Sequence, residues 1–243
     1  MKKVIIIIAI SIVIFNFSFV NGKAQTRVQA KFDSLLKELL KMKEDTLKIN
    51  LLASLSFEYH LINPEEGIKF GDQGLKISEK IGWKIGKAKC YNSLGSNFRT
   101  LSNYKKSLDY YINALKINEE LGNEQEIAKN YGNIGLIYLE IEDFDKAEKY
   151  SLAALPIFQK YQMNPAIATL NGNLGIIYKE KKDYKKALEK FQVALKLDIE
   201  LDNKAGIIRH LTNLGSLNVL INKKQDAITY LEKALELSKQ IED

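Results

Sequence analysis

A single cysteine in 243 residues, Cys90, excludes an internal disulfide. Two histidines, His60 and His210, stand in no HExxH run and no Cys/His cluster, so no metal site is expected. The spaced glycines of "GIKFGDQG" (67–74) fall inside a helical pattern and make no phosphate loop. Carboxylate pairs such as Glu119–Glu120 read as solvated charge, and Cys90, on a helix phase shared with Leu170 and His210, reads as a half-buried structural thiol. Neither catalytic residues nor a cofactor is expected, and we read the chain as non-enzymatic. Three prolines and no Gly/Pro/Ser-rich tract leave no linker that would divide the body.

The first 24 residues form a different polymer. A basic "MKK" precedes "VIIIIAISIVIFNFSFV" (4–20), which carries no charge, and "NGKAQ" then supplies Gly22 and Ala24 before a cut at Gln25. Basic head, apolar middle and small-residue exit describe a signal peptide. The run also reaches the lower end of what spans a bilayer, about 17–25 residues, so an uncleaved anchor is the alternative. The expectation is export to the periplasm or envelope of a bacterium, with membrane contact only through this segment. Cleavage also takes Lys2, Lys3 and Lys23, lowering 36 basic residues to 33 against 30 acids, so the net charge falls from +6 to about +3. No clustered basic surface calls for nucleic acid.

What remains is periodic. Gly95, Gly135, Gly175 and Gly215 lie 40 residues apart, in "YNSLG", "YGNIG", "NGNLG" and "LTNLG". Small residues recur at Gly67, Ser107, Ala147, Ala187 and Ala227, and again at Gly74, Ala114, Ala154, Ala194 and Ala234. Tyr111, Phe191 and Leu231 stand between them, with Ser151 out of pattern, and Phe98, Tyr138 and Tyr178 follow the glycines by three. Apolar residues at i, i+3, i+4 and i+7 make both halves of each unit amphipathic helices, and no stretch of period 2 competes. Asn63, Asn103, Asp143 and Asp183 precede helical runs as caps. Pro64 and Pro165 sit at first helical positions, and "IGW", "LGN", "QMN" and "LDN" supply the glycine or asparagine that ends a helix. Pro156 is expected to bend its helix.

This spacing resembles the tetratricopeptide repeat, in a 40-residue form. The resemblance implies an all-α fold, a right-handed α-solenoid of stacked helical hairpins. Five units follow, at about 45–82, 83–122, 123–162, 163–202 and 203–243, after a leading helix at 25–44. Each recurring glycine is expected to face an alanine of the partner helix and let the two backbones approach.

Two residues before each glycine stand Ser93, Asn133, Asn173 and Asn213, and four before those Lys89, Lys129, Thr169 and Arg209. Residues at i and i+4 share a face, so these make one stripe, continued toward Glu140 and Glu180. The resemblance implies that this face lines a groove in which such side chains hold an extended peptide by its backbone or its terminal carboxylate. An asparagine amide both donates and accepts, so it pairs with a peptide bond without reading the side chain. A lysine or arginine adds a charge-assisted bond to a carboxylate. Lys89, Ser93, Lys129, Asn133, Asn173, Arg209 and Asn213 are therefore the candidate groove residues. The two glutamates point to a ligand of mixed charge and away from an RNA-binding groove.

Leader, lone helix and 40-residue repeats are similar to the extracytoplasmic input regions of bacterial signalling proteins of the histidine kinase or nucleotide cyclase type. That resemblance implies a peptide or protein partner and a sensor role. The alternative is a cytoplasmic regulator that binds a signalling peptide and switches an output partner. Leu231, Ala234, Leu235 and Ile241 are expected to lie uncovered, fitting end-to-end self-association or a downstream signalling domain.

Overall fold

The computed structural model describes Leu39 and residues 42–242. The expected leader and nearly all of the leading helix lie outside them. Among the described residues every regular element is helical: α1 Thr46–Glu58, a 3-10 turn Tyr59–Leu61, α2 Pro64–Lys80, α3 Lys84–Thr100, α4 Tyr104–Glu120, α5 Glu124–Glu140, α6 Phe144–Lys160, α7 Asn164–Glu180, α8 Tyr184–Glu200, α9 Lys204–Leu220 and α10 Lys224–Glu242. None of these helices is long and apolar enough to cross a membrane. The chain is an all-α solenoid of stacked helix pairs. It divides into two compact units, residues 1–117 and 118–243. In the first, Ile49, Leu52, Leu55, Phe70, Ile77 and Cys90 form a core with Leu39. In the second, Leu174, Ile177, Phe191, Leu214 and Leu217 form one core and Phe158, Ile167 and Leu170 another.

The cadence is 20 residues, of which 40 is the double. Helices α2 to α9 each have 17 residues, and joints of three residues separate them. The middle residue of every joint lies in the left-handed region: Gly82, Ser102, Gly122, Glu142, Gln162, Lys182, Asp202 and Asn222. At the unit ends the expected glycine stands at Gly82 and Gly122, whereas Gln162 and Asp202 take that position in the next two. At the joint after α7, Lys182 N–H donates to Lys179 O (3.0 Å) and Asp183 N–H to Tyr178 O (2.8 Å). The Asp183 carboxylate then accepts from Lys186 N–H at 3.2 Å, opening α8. One residue thus closes a helix and caps the next. A left-handed conformation costs a side-chain-bearing residue about 1–2 kcal/mol. Lys182→Gly is therefore expected to raise the unfolding free energy by about 1 kcal/mol, read from urea denaturation.

Pro64 opens α2, whereas Pro165 is the second residue of α7, with Met163 at the cap. Helix α6 runs unbroken through Pro156, at the same length as its neighbours. The recurring glycines Gly95, Gly175 and Gly215 face the bulky residue between the small ones, while the expected alanine approaches through its backbone oxygen at Gly135 (Ala147, 3.3 Å) and Gly215 (Ala227, 3.4 Å). A Cβ on Gly95 would lie 2.7 Å from Tyr111, one on Gly175 2.5 Å from the Phe191 ring, and one on Gly215 2.6 Å from Leu231. The glycine is a seat for a side chain. At Gly135 the facing residue is Ser151, at 3.0 Å, so the break in the pattern lies on the same contact. The aromatics three residues on stack within their hairpins, Phe98 on Tyr110 and Tyr138 on Tyr150. Of the apolar residues on α10, Leu231 and Leu235 are exposed while Ala234 is buried; the side chain of Ile241 is outside the description.

Within each unit a pair of residues twelve apart meets across a joint, and its chemistry differs from joint to joint. In the first unit the Cys90 thiol meets Ser78, and burial pushes that thiol up to about 12. It is fully buried, not half-buried as its phase implied. In the second unit Asn118 donates to Asn130 at 2.8 Å, Phe158 and Leu170 share a core, and His210 Nε2 lies 3.0 Å from Asp198 Oδ2. That last approach is an ion-pair distance without hydrogen-bond alignment, so neither His210 nitrogen has a hydrogen-bond partner. Asp198 Oδ1 accepts from Asn203 at 2.8 Å. Gly172 leaves the space that the imidazole occupies, and Gly206 the space for the carboxylate.

Burial holds the His210 imidazole below its usual value of 6.5; nearby Arg209 acts in the same direction and Asp198 opposes both. The folded chain therefore binds this proton less readily than the unfolded chain. The contribution is complete above the ordinary imidazole value and is lost as pH falls through the depressed one. The unfolding midpoint should fall as pH is lowered below the ordinary imidazole value of 6.5, and more in the wild type than in a variant carrying Asp198→Phe with His210→Leu.

Candidate functional site

Helices α5, α7 and α9, all in the second unit, carry the asparagines of the stripe, and the first two flank the candidate site. Their cores are fixed by the residues that flank the stripe: Ile134, Gly135 and Ile137 on α5, and Leu174, Gly175 and Ile177 on α7, are buried. The helical period then leaves Asn133 and Asn173 half-buried, at the edge of the opposite face. Between the helices lies a depression of about 330 Å³ lined by Lys129, Gly132, Asn133, Leu136, Phe158, Pro165, Ala166, Thr169, Leu170 and Asn173. Three of the seven expected residues, Lys129, Asn133 and Asn173, are brought together there, with Thr169 beside them.

Polar capacity in the depression is partly committed. Lys129 Nζ pairs with Glu126 at 2.6 Å, an exposed pair of small energetic value. Thr169 Oγ1 donates to Pro165 O at 3.1 Å. The side-chain amides of Asn133 and Asn173 have no hydrogen-bond partner among the described residues. Two half-buried amides, one on each wall, are thus free to pair with something that enters.

The other expected residues stand elsewhere. Arg209 is exposed and Asn213 half-buried on α9, outside the depression. In the first unit Lys89 donates to Asn50 Oδ1 at 2.7 Å. Ser93 is a correction: it is 3% exposed, and its hydroxyl donates to Cys90 O at 3.0 Å. A short side chain at that phase bonds back to its own helix instead of reaching a ligand. Gly132, Leu136, Phe158, Pro165, Ala166 and Leu170 line the depression without having been singled out as groove residues. The signal for two of them was a departure from phase: Gly132 where the chain has Asn92 and Thr212, and Phe158 where it has Asn118 and Asp198. Among the described residues no group of three or more His, Cys, Asp or Glu converges as a metal site.

A sequence profile described as tetratricopeptide repeat matches residues 86–160 and 165–240, more than half of the chain. The chain belongs to the tetratricopeptide repeat family. No curated relative matches it by sequence. Its fold is similar to that of BtubC from P. vanneervenii, at 18% identity and a TM-score of 0.70 over 100% of this chain and 93% of that one. A STAND signal-transduction ATPase with a tetratricopeptide repeat sensor from Pyrococcus horikoshii is similar at 19% identity and a TM-score of 0.76, over 97% of this chain and 36% of that one. Aspartyl phosphate phosphatase F from Bacillus subtilis is similar at 13% identity and a TM-score of 0.70, over 98% of this chain and 71% of that one. At these identities the likeness is one of fold.

Proposed function

We propose that this tetratricopeptide repeat chain is an exported, non-enzymatic scaffold that holds an extended peptide or protein segment between α5 and α7, as an input module of signal transduction. The observation that carries the reading is the pair of unpartnered amides, Asn133 and Asn173, facing one depression from two walls. An extended segment has backbone donors and acceptors of its own to satisfy, and two amides at a fixed spacing meet that need without a sequence requirement. The sensor role draws on the STAND protein, whose repeats are described as its sensor. Export draws on the composition of residues 1–24.

A pool of random hexapeptides passed over the immobilised full-length chain tests the binding. Retention by the wild type and its loss in Asn133→Ala/Asn173→Ala, with thermal unfolding unchanged, is the expected result. Equal retention by both proteins would remove the groove. N-terminal sequencing of the protein made in its own cell tests export: an intact Met1 on a soluble cytosolic species would favour the cytoplasmic regulator.

A further inference from the structure

We propose that the depression between α5 and α7 is a side-chain-reading pocket, in which Gly132 and the Phe158 ring admit one bulky apolar side chain of the bound peptide, of leucine, isoleucine, methionine or phenylalanine type. The proposal rests on the peptide-groove reading above and names what that groove selects.

Glycine within a helix costs about 1 kcal/mol relative to alanine. Elsewhere in this fold a neighbour accounts for it. The Cβ place is taken by Phe191 at Gly175, by His210 Cε1 (2.5 Å) at Gly172, by Tyr111 at Gly95 and by Leu231 at Gly215. Gly132 is different. The nearest atoms to a Cβ there are Phe158 Cε2 at 3.8 Å and Cζ at 3.9 Å, an ordinary contact distance. It is the one helical glycine among the described residues with no atom close enough to demand it. Asn92 and Thr212 carry full side chains at the same phase. The space saved at Gly132 opens instead onto the depression.

Gly132 and Gly172 share that phase, and the contrast between them shows how the opening arises. At Gly172 the junction pair is Asp198–His210, and the imidazole fills the gap. At Gly132 the pair is Phe158–Leu170, which packs into a core and leaves the gap as an apolar hollow. Leu136, Pro165 and Ala166 complete its walls, and Asn133 and Asn173 stand at its edges. Lys129 is the one charged residue of the lining, and it is already paired. A charged ligand side chain entering here would lose water and meet no free group of opposite charge. A small one would leave the hollow unfilled. A large apolar one gains burial against Leu136, Phe158, Pro165 and Ala166, enough for roughly tenfold tighter binding.

The test is fluorescence anisotropy of the full chain with acetylated, amidated hexapeptide libraries that fix one position at a time. The wild type should bind libraries fixed as Leu, Ile, Met or Phe at one position roughly tenfold more tightly than those fixed as Ala or Asp. Gly132→Leu, which places the chain's own side chain in the hollow, should erase that preference while thermal stability holds or rises. Gly132→Ala should erode it partially. A wild type that binds hexapeptides with no apolar preference, or a preference that survives Gly132→Leu, overturns the pocket and leaves the groove standing. Absence of any hexapeptide binding removes the groove, and the pocket with it.

Discussion

Gly175→Leu should cost the second unit about 3 kcal/mol, while Asn173→Ala, two residues away on the same helix, should change stability by less than about 0.5 kcal/mol. The added side chain begins 2.5 Å from two carbons of the Phe191 ring. That ring is fully buried between the small residues Ala187 and Ala194, themselves buried, so it has nowhere to retreat. Asn173 is half-buried and its side-chain amide makes no hydrogen bond among the described residues, so little is lost when it is truncated. Gly135→Ala should cost less than Gly175→Leu, because its added Cβ meets Ser151 Oγ at 3.0 Å and backbone atoms of Ala147 and Ser151 at 3.3 Å, with nothing closer. Chemical denaturation followed by far-UV circular dichroism separates the three. Equal destabilisation by Gly175→Leu and Asn173→Ala would mean that the asparagine is a packing residue.

The second large effect lies at the buried Asp198–His210 junction. His210→Leu alone leaves the Asp198 carboxylate buried with Asn203 as its remaining hydrogen-bond partner. Asp198→Ala alone removes the charge that favours the imidazole and leaves a hollow beside Gly206. Each single change is expected to cost about 3 kcal/mol. The joint change Asp198→Phe with His210→Leu copies the chain's own Phe158–Leu170 junction, and should recover most of that loss. Gly206 supplies space beside position 198 and Gly172 beside position 210. A double-mutant cycle by urea denaturation reads the coupling directly; strictly additive losses would show that the two residues act independently.

The fold was legible because its signals are local and repeated. Helical period, the caps at Asp143 and Asp183 and the glycine phase all point the same way. What a single phase could not reveal was the partner across the gap: Gly175 was expected to meet an alanine and meets Phe191, since residue size alone does not say which of three neighbouring positions points inward. The left-handed joints at Gln162 and Lys182 carried no glycine to mark them. Here the surrounding hydrogen bonds impose a conformation that the residue itself disfavours. At the candidate site the stripe rule found Asn133 and Asn173 but included Ser93, whose short reach turns it onto its own helix. It passed over Gly132, because glycines elsewhere in the pattern already had an explanation. Only coordinates distinguish a glycine that seats a neighbour from one that seats nothing.

The three-residue joints carry a consequence for how such a protein can change. Because Asp183 both ends α7 and begins α8, the connection holds no slack. One residue inserted there would rotate the following helix by about 100° and swing its alanine stripe away from its neighbour. A one-residue change at such a joint is therefore expected to disturb the stack more than the gain or loss of a whole forty-residue hairpin.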